Sequence, residues 1–490
     1  MEKIIDSRVE QSEYPVLSMP DFSNLANCTK EALNAIRDKD RGPDDPTKFN
    51  ELLERIAESE SELPPVYREN VSQPFVQKLE WYGNNTFKYM LNRDKAREGR
   101  AGLLLDIAQA ILQNGEGYLT RELDAFQEVI SDLYDGFLSN EDRHDVKLPD
   151  LSVISPLVKW GRPNFGPYTW TADDTINMGI HTAIVSMPPT NASKGLLAWG
   201  ALGHETAGHD ILHADDGLHD ELKAAVWEAL SKEQINPILP DQWADRLDES
   251  ASDVLGILNM GPAVGISLIG YFRAMNASMG GPMKLWNISL HIDYDCHPAD
   301  ILRGYLAASV IRRLGFDNAK AWGDAIEAEV NKDLTEIRLN VLPKMDGTLD
   351  SKSGTVISPA DGRKSADVVA ETVMNYRLDS LEGHALSDIQ NWRNIDEETV
   401  MVLRSALKTS NLEDVGLLEG FYAAHVVDAA IREAMVNGSD IQLIFSNMIT
   451  ILKAMHDDNP MWGPMYVEHP GDIVRLRPVV SRRRRFAWAK

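Results

Sequence analysis

Residues 203–209 read Gly-His-Glu-Thr-Ala-Gly-His and lie near the end of a predicted helix over residues 191–212. Apolar side chains just upstream of this stretch indicate that the helix is largely buried. Buried imidazole and carboxylate groups are costly unless they bind a metal or form hydrogen bonds. His204 and His209 are therefore predicted zinc ligands, and Glu205 is the predicted general base for a water on the metal.

The spacing of the two histidines departs from the common zinc-peptidase helix. His204 and His209 are five residues apart, whereas the motif His-Glu-x-x-His places its histidines one helical turn apart. Five residues rotate by about 140° in a regular helix, so the two side chains would not converge. A one-residue bulge would bring them together, and Gly208 favours such a distortion. A second candidate set needs no bulge, because Glu205, His209 and His213 share one face of a regular helix.

A second stretch supplies the remaining predicted ligand. Residues 241–260 read DQWADRLDESASDVLGILNM and predict a helix whose apolar side chains argue against a solvated acidic surface. Glu249 and Asp253 are four residues apart and share one face of this helix. Glu249 is the predicted third metal ligand. Asp253 is predicted to accept a hydrogen bond from the far nitrogen of a ligating histidine, which fixes its tautomer.

These two stretches resemble parts of two peptidase families. Residues 249–256 resemble the Glu-x-x-Ser-Asp-x-x-Gly helix of thermolysin-like peptidases, which belong to the gluzincins. Residues 204–209 resemble instead the dipeptidyl peptidase III family, whose helix carries His-Glu-x-x-Gly-His. The later Glu-Glu-x-x-x-Glu/Asp pattern of that family begins here with Asp248 in place of the first Glu. The resemblance is local and covers only about fifty residues.

The resemblance implies a fold class and an activity. The expected fold is mainly α with a small β-sheet (α+β), with a zincin-like metallopeptidase core flanked by helical regions. In such a core His204, His209 and Glu249 would hold one Zn²⁺ ion. Glu205 would then be the general base for the water that attacks the peptide bond. The expected binding partner is a peptide or protein substrate.

Composition changes along the chain suggest four regions. We expect a helical N-terminal region over 1–150, a catalytic core with a short sheet over 151–315, and a helical C-terminal region over 316–480. A basic tail follows at 481–490, where four arginines stand together. Residues 340–365 contain two Asp-Gly pairs and predict a hairpin or protruding loop within the third region.

The segment before the motif helix predicts a strand. Residues 181–187 read His-Thr-Ala-Ile-Val-Ser-Met and are followed by two prolines that end the strand. We expect this strand to lie at a sheet edge beside the metal helix. An extended peptide substrate would then bind along that edge by backbone hydrogen bonds.

Residues 287–315 contain polar side chains just before another predicted helix. Their His-Pro-x-x-x-x-Arg pattern resembles a segment found downstream of the metal helix in several zinc peptidase families. By that resemblance His297 or Tyr294 would stabilise an oxyanion, and Arg303 would orient the loop or bind a carboxylate. The alternative is a helix cap with satisfied polar groups. Cys296 has no neighbouring cysteine and is predicted to be a small buried residue.

A further pair of candidate donors lies in the C-terminal region. Residues 416–435 predict a good helix in which Tyr422 and His425 stand three residues apart. If they faced the cleft, both would donate hydrogen bonds to charge that develops in the transition state. The alternative is that they are ordinary core or surface residues.

Composition limits the class of partner. The chain has 490 residues and a formal net charge of −26, which disfavours nucleic acid because phosphates would be repelled. It has two cysteines and lacks both an apolar run long enough for a membrane span and a basic-then-apolar signal pattern. We therefore expect a cytoplasmic protein, although these features do not exclude export by another route.

Two other functions remain open at the level of sequence. One is a metal-dependent hydrolase of a different amide, which would use the Glu205, His209 and His213 face. The other is a non-catalytic binding or scaffold protein whose metal ion is structural and has no open coordination position.

Overall fold

The computed structural model describes most of the chain. The described residues are 19–138, 143, 146–150, 154–162, 166–180, 182–207, 210–343, 349–350, 353–409, 421–459 and 461–462. His209 and the basic tail at 481–490 lie outside them, so the predictions made for His209 and for the tail stay predictions.

The N-terminal part of the described chain is helical, as the periodicity predicts. Its helices, in chain order, are α1 (Leu25–Ile36), α2 (Phe49–Ser59), α3 (Pro65–Tyr67), α4 (Gln73–Arg93), α5 (Arg100–Glu116) and α6 (Thr120–Leu138). The long helices α5 and α6 bury most of their side chains, because apolar residues recur at three- and four-residue steps around both.

A three-stranded sheet follows, built from β1 (Leu157–Trp160), β2 (Tyr168–Trp170) and β3 (Ile184–Met187). The strand order is β1-β3-β2, with β3 parallel to β1 and antiparallel to β2. The predicted strand before the motif is therefore present as β3. Its predicted position at a sheet edge is wrong, because β3 pairs on both sides, and β2 is the edge strand beside the motif.

The middle of the chain carries the predicted metal helices. Its helices are α7 (Ala172–Thr175), α8 (Leu196–Gly200), α9 (Leu202–Ala207), α10 (Leu218–Ser231), α11 (Leu239–Ala244), α12 (Leu247–Met260), α13 (Ala263–Ser278) and α14 (Asp300–Ile311). The helix predicted over residues 241–260 is thus divided into α11 and α12, with Glu249 and Asp253 both on α12.

The single helix predicted over residues 191–212 is wrong. A 3-10 turn covers Pro189–Ala192, α8 and α9 follow, and another 3-10 turn covers Ile211–His213. The start of α8 is set by Gly195, whose φ of +79° lies in the left-handed region that a regular helix cannot include.

The C-terminal part contains a second sheet and the remaining helices. Strands β4 (Ile288–Leu290), β5 (Ile337–Val341) and β6 (Thr355–Ile357) form a sheet in which β5 lies between parallel β4 and antiparallel β6. β5 pairs antiparallel with β6 at the segment predicted to be a hairpin or protruding loop. Of the two Asp-Gly pairs on which that prediction depends, Asp346-Gly347 lies outside the described residues, and Asp361-Gly362 lies in the helix Pro359–Asn375. The helices here are α15 (Ala319–Asn331), α16 (Pro359–Asn375), α17 (Leu386–Ile389), α18 (Asn394–Thr409), α19 (Ala423–Ala434) and α20 (Ile441–Asp457).

The largest hydrophobic core joins residues from all three predicted regions. It contains Leu25 of α1, Phe126 of α6, Leu255 of α12 and Val427 of α19, all buried. The expected boundaries near residues 150 and 315 therefore do not separate independent cores. The described fold is mainly helical with two small mixed sheets, in agreement with the expected α+β class. No helix in the described ranges combines the length and apolar character that a membrane crossing requires.

Candidate metal centre

Two glycines allow the helices of the candidate site to approach closely. Gly203 on α9 faces Gly256 on α12, and a Cβ added to Gly256 would lie 2.7 Å from the carbonyl carbon of Gly203. His204 follows Gly203 directly, and on the other helix Asp253 and Glu249 lie about one and two turns before Gly256, respectively. This contact brings the imidazole within reach of both carboxylates.

His204 lies between two carboxylates of α12. Its Nε2 atom is 3.4 Å from Oε2 of Glu249, and its Nδ1 atom is 2.9 Å from Oδ1 of Asp253. All three side chains are buried. The structure therefore brings together His204, Glu249 and Asp253 in the relative positions that the sequence predicts for two ligands and a carboxylate behind one of them.

Arg303 of α14 binds the carboxylate on the far side of this group. Its Nε donates to Oδ2 of Asp253 at 2.8 Å and its Nη2 donates to Oδ1 at 2.7 Å, which is a two-point interaction. Its guanidinium also lies 4.4 Å from the centre of the Phe272 ring. Arg303 is expected to orient the loop or to bind a carboxylate. Its contacts fit the second role, and the carboxylate is that of Asp253 in the protein itself.

The charges in this group shift the pKa values of its members. Burial by itself lowers the pKa of His204, but the hydrogen bonds to Asp253 and Glu249 outweigh burial and raise that pKa to about 9. Burial would raise the pKa of Asp253, but the Arg303 guanidinium and His204 hold it below its usual value. In the absence of a metal, a proton on His204 therefore balances part of the carboxylate charge.

His297 approaches the same carboxylate from the loop before α14. Its Nε2 atom is 3.2 Å from Oε2 of Glu249, and its Nδ1 atom is 2.6 Å from Oδ1 of Asp295. Burial alone lowers the pKa of His297, but the negative charge of Glu249 and the contact with Asp295 raise it well above the usual value. His297 thus lies within the candidate centre, as the sequence suggests, but it faces a predicted ligand.

Cys296 also contacts Glu249. Its Sγ atom is 3.3 Å from Oε1 of Glu249 and 3.7 Å from Nδ1 of His297. Burial raises the pKa of this thiol, and the Glu249 carboxylate adds to the effect. Cys296 is only partly buried, whereas the sequence predicts a buried residue. The sequence gives no sign of the contact with Glu249, because only the folded loop brings the thiol to α12.

Glu205 lies on the other side of His204 and lines a small cavity. The cavity wall also includes His204, Arg303 and Tyr271 of α13. The hydroxyl of Thr169, on the edge strand β2, lies 3.0 Å from the backbone carbonyl oxygen of Glu205 and 3.1 Å from its Oε2, and these two acceptors share its one proton. Burial, together with the charge of Glu205, raises the pKa of Tyr271 and keeps its hydroxyl protonated.

Thr169 and Tyr271 are functional candidates that the sequence analysis did not find. Thr169 lies in a three-residue strand, and Tyr271 ends a run of apolar residues that resembles ordinary helix core. The Tyr-Phe-Arg sequence at 271–273, which breaks the apolar run of α13, was the only available signal.

The alternative set of Glu205, His209 and His213 required one regular helix. The described chain ends α9 at Ala207 and places His213 in a separate 3-10 turn, so that requirement is not met. His213 instead stacks on His219, with ring centroids 5.3 Å apart, and both imidazoles approach Asp248.

Three other candidates lie away from the cavity. The side chain of Tyr294 is exposed, with 52% of the residue accessible. His425 accepts a hydrogen bond from the backbone N–H of Tyr422 at 2.9 Å, and its Nε2 atom is 2.9 Å from Oδ1 of Asp396. These contacts occupy both nitrogens of His425 at the start of α19. The described residues that line the cavity do not include Tyr294, Tyr422 or His425. These three residues are therefore not assigned as oxyanion donors.

The close contact of α9 and α12 gives a first prediction. Gly256→Ala would place a methyl group against the Gly203 backbone, so the two helices must separate. Such overpacking costs about 1–3 kcal/mol, and we expect a loss of that size in the free energy of unfolding in urea. If His204 and Glu249 bind zinc as the sequence predicts, a weaker zinc affinity should accompany this loss. Gly438→Ala is not a suitable control, because Gly438 has a φ of +84°, where any side chain is strained. Ser446→Ala is the control, because Ser446 lies on the exposed surface of α20. It should change neither the free energy of unfolding nor the zinc affinity. An unchanged unfolding curve for Gly256→Ala would contradict the proposed contact.

Comparisons with known proteins do not place the chain in a family. No protein-family model matches the sequence, and the comparisons with curated proteins and with solved structures also gave no match. The functional argument therefore depends on the geometry of the residues described above.

Proposed function

We propose that the protein is a zinc-dependent metallopeptidase with a zincin-like metal centre. The observation that supports this most directly is the placement of a Glu249 oxygen 3.4 Å from Nε2 of His204, whose other nitrogen binds Asp253. Aspartate behind a histidine is the usual arrangement at protein zinc sites, because it fixes the tautomer that presents a lone pair to the metal.

The chemistry of these donors suits zinc. Neutral imidazole nitrogen and carboxylate oxygen are both common zinc ligands. Two such atoms in contact in a buried place repel each other unless a cation or a proton lies between them. His204 and Glu249 would be two of the ligands, and the sequence motif offers His209 as a third.

When bound, zinc would polarise a water molecule and the carbonyl group of a peptide substrate. Glu205 is the chain's own proton carrier: it would take a proton from the water during its attack on the carbonyl carbon and give it to the departing amine. Thr169 holds one Glu205 oxygen and so limits the rotation of the carboxylate. The protonated hydroxyl of Tyr271, in the same cavity wall, would donate a hydrogen bond to the negative charge on the carbonyl oxygen.

A direct assay tests the proposal. The purified chain should contain zinc, and it should hydrolyse a fluorogenic peptide library. A chelator should abolish the activity, and added zinc should restore it. Zinc-loaded protein with no hydrolysis would indicate the structural-metal alternative. A chain that binds no zinc at all would refute the proposed function. Either exo- or endopeptidase products would agree with the proposal.

A further inference from the structure

We propose that Glu249, Cys296 and His297 bind a divalent metal ion of the zinc type at a site of its own, which does not use His204. The inference goes beyond the proposed function, which needs an ion on His204 and shares only Glu249 with this site. It adds a thiolate, a ligand type absent from the set of His204, His209 and Glu249.

The donor atoms of the three side chains lie close enough together to share one ion. Among the described residues, Glu249, Cys296 and His297 are those whose ligand atoms all lie within 4.8 Å of one another. The Cys296 sulfur is 3.3 Å from Oε1 of Glu249, and Nε2 of His297 is 3.2 Å from Oε2. Zinc bonds of roughly 2.0 Å to nitrogen or oxygen and 2.3 Å to sulfur place tetrahedral neighbours about 3.3–3.5 Å apart. Both separations are close to those values, so small movements would admit an ion.

His204 lies beside this group and outside it. Its Nε2 atom is 3.4 Å from Oε2 of Glu249, whereas the Cys296 sulfur contacts Oε1. His204 is not a member of the group whose ligand atoms meet within 4.8 Å. Paired metal ions close together are a known arrangement in hydrolases. Glu249 could therefore serve both an ion on His204 and the ion proposed here, one through each carboxylate oxygen.

Asp295 is placed to orient the imidazole of His297. Its Oδ1 atom lies 2.6 Å from Nδ1 of His297 and accepts the backbone N–H of the same residue at 3.1 Å. A carboxylate that takes the Nδ1 proton leaves the lone pair of Nε2 available to the ion. Asp295 is therefore a positioning residue, and the loop itself sets the direction of its ligand.

The loop that carries Cys296 and His297 is fixed to the helix that carries Glu249. Arg246, the residue before α12, donates from Nε to the carbonyl oxygen of His297 at 3.2 Å. It also donates from Nη2 to the carbonyl oxygen of Leu290 at 2.7 Å. These bonds join the two segments at the start of α12, so the fold brings the ligands together before an ion binds.

The ligand types select among metals. A thiolate, an imidazole and a carboxylate suit zinc, whereas magnesium and calcium prefer oxygen ligands throughout. Three protein ligands leave a fourth position for water or for a group of a bound molecule, which is the pattern of zinc sites that take part in reactions. The site therefore has room for an exchangeable ligand.

Cobalt substitution tests the thiolate directly. The full-length protein, stripped of metal and loaded with Co²⁺, should show a thiolate-to-cobalt charge-transfer band in the near ultraviolet, and Cys296→Ser should lose it. Cys28→Ser is the matched control, because Cys28 is the other cysteine of the chain and its sulfur contacts the carbonyl oxygen of Ala434. This control should keep the band. X-ray absorption of the zinc form should show sulfur at about 2.3 Å in wild type and not in Cys296→Ser.

His204→Ala separates this site from the proposed function. It should keep the charge-transfer band while it loses peptide hydrolysis, because His204 is a ligand only of the ion that the proposed function needs. Circular dichroism checks that the variant is folded. His204→Gln, which keeps a polar side chain beside Asp253, takes its place if the alanine variant is unfolded.

The loop residues are tested by the affinity for the cobalt ion that gives the band. His297→Ala should weaken that affinity at least about tenfold, and Asp295→Asn should weaken it about 10–100-fold with the band retained at saturation. The controls are His291→Ala and Asp293→Asn, which alter an exposed pair in the same loop. Both should bind cobalt as wild type does.

The outcomes distinguish this inference from the proposed function. Wild type that binds cobalt without the band, or a folded His204 variant that loses the band, would overturn the inference and leave the proposed function standing. Wild type that shows the band but hydrolyses no peptide would support the inference and refute the peptidase. Wild type that binds neither zinc nor cobalt would overturn both.

Discussion

Glu205→Gln is expected to abolish peptide hydrolysis while the protein keeps its zinc and its fold. The amide has nearly the same shape as the carboxylate and can still accept the hydrogen bond from Thr169. It cannot take a proton from water at neutral pH. General acid–base catalysis contributes about 10²–10⁴-fold, so kcat should fall by that factor. We would measure kcat and KM on the best substrate of the peptide library, with zinc content determined on the same samples.

The control for this experiment is Glu228→Gln on the surface of α10. Glu228 is exposed and pairs with Lys232 one turn later, so the same chemical change there should leave kcat and zinc content unchanged. A Glu205→Gln variant that retained full kcat with zinc bound would exclude Glu205 as the base. Loss of zinc from Glu205→Gln would instead assign Glu205 to the ligands.

Arg303→Met is expected to be strongly destabilising. Arg303 and Asp253 are both buried and joined by two hydrogen bonds. Removal of one partner of a buried ion pair typically costs 3–5 kcal/mol in free energy of unfolding. Asp253 would keep only the His204 imidazole as a charged partner, so we expect a loss of about 3 kcal/mol, at the lower end of that range. Asp253 would also favour its protonated form, and its hydrogen bond to His204 would weaken. Urea unfolding of metal-free protein measures the first effect, and zinc affinity measures the second.

Arg313→Met supplies the comparison. Arg313 lies just after α14 and pairs with Asp367 and Glu371, whose side chains are more than half exposed. The Arg313 side chain is 23% exposed, but both carboxylates face solvent. Pairs of this kind contribute about 0–1 kcal/mol, so this variant should lose much less stability than Arg303→Met. The double variant Arg303→Met, Asp253→Leu should recover part of the lost stability, because it removes the buried carboxylate that has lost its guanidinium partner. Equal stabilities of Arg303→Met and Arg313→Met would show that the Arg303 pair is not buried in solution.

The sequence predicted those parts of the candidate site that depend on local periodicity. Glu249 and Asp253 are one helical turn apart, so their common direction follows from any helix over that stretch, and α12 provides it. The α+β class follows in the same way from composition. The Asp-Gly pairs were less informative, because Asp361-Gly362 lies in the first turn of α16. The approach of His204 to Glu249 was inferred from ligand chemistry, without any local signal for the contact itself.

Contacts between segments that are distant in sequence could not be predicted from local sequence patterns. Gly203 and Gly256 look like two ordinary helix glycines until the helices are seen to cross there. The central position of β3 depends on β2, a strand of three residues with little pattern of its own. Cys296 looked inert for the same reason, since its nearest chemical partner lies on another helix.

The Gly203–Gly256 crossing ties the centre to the packing of the whole chain. His204, Glu249 and His297 come from three stretches that are far apart in sequence, and each imidazole contacts the Glu249 carboxylate. An ion bound there acts as a cross-link that closes two long loops, and an unfolded chain offers it no comparable set of ligands. On the proposed function, the folded form would therefore gain stability with the logarithm of the free metal concentration, and scarcity of the metal would leave more unfolded chain open to proteases.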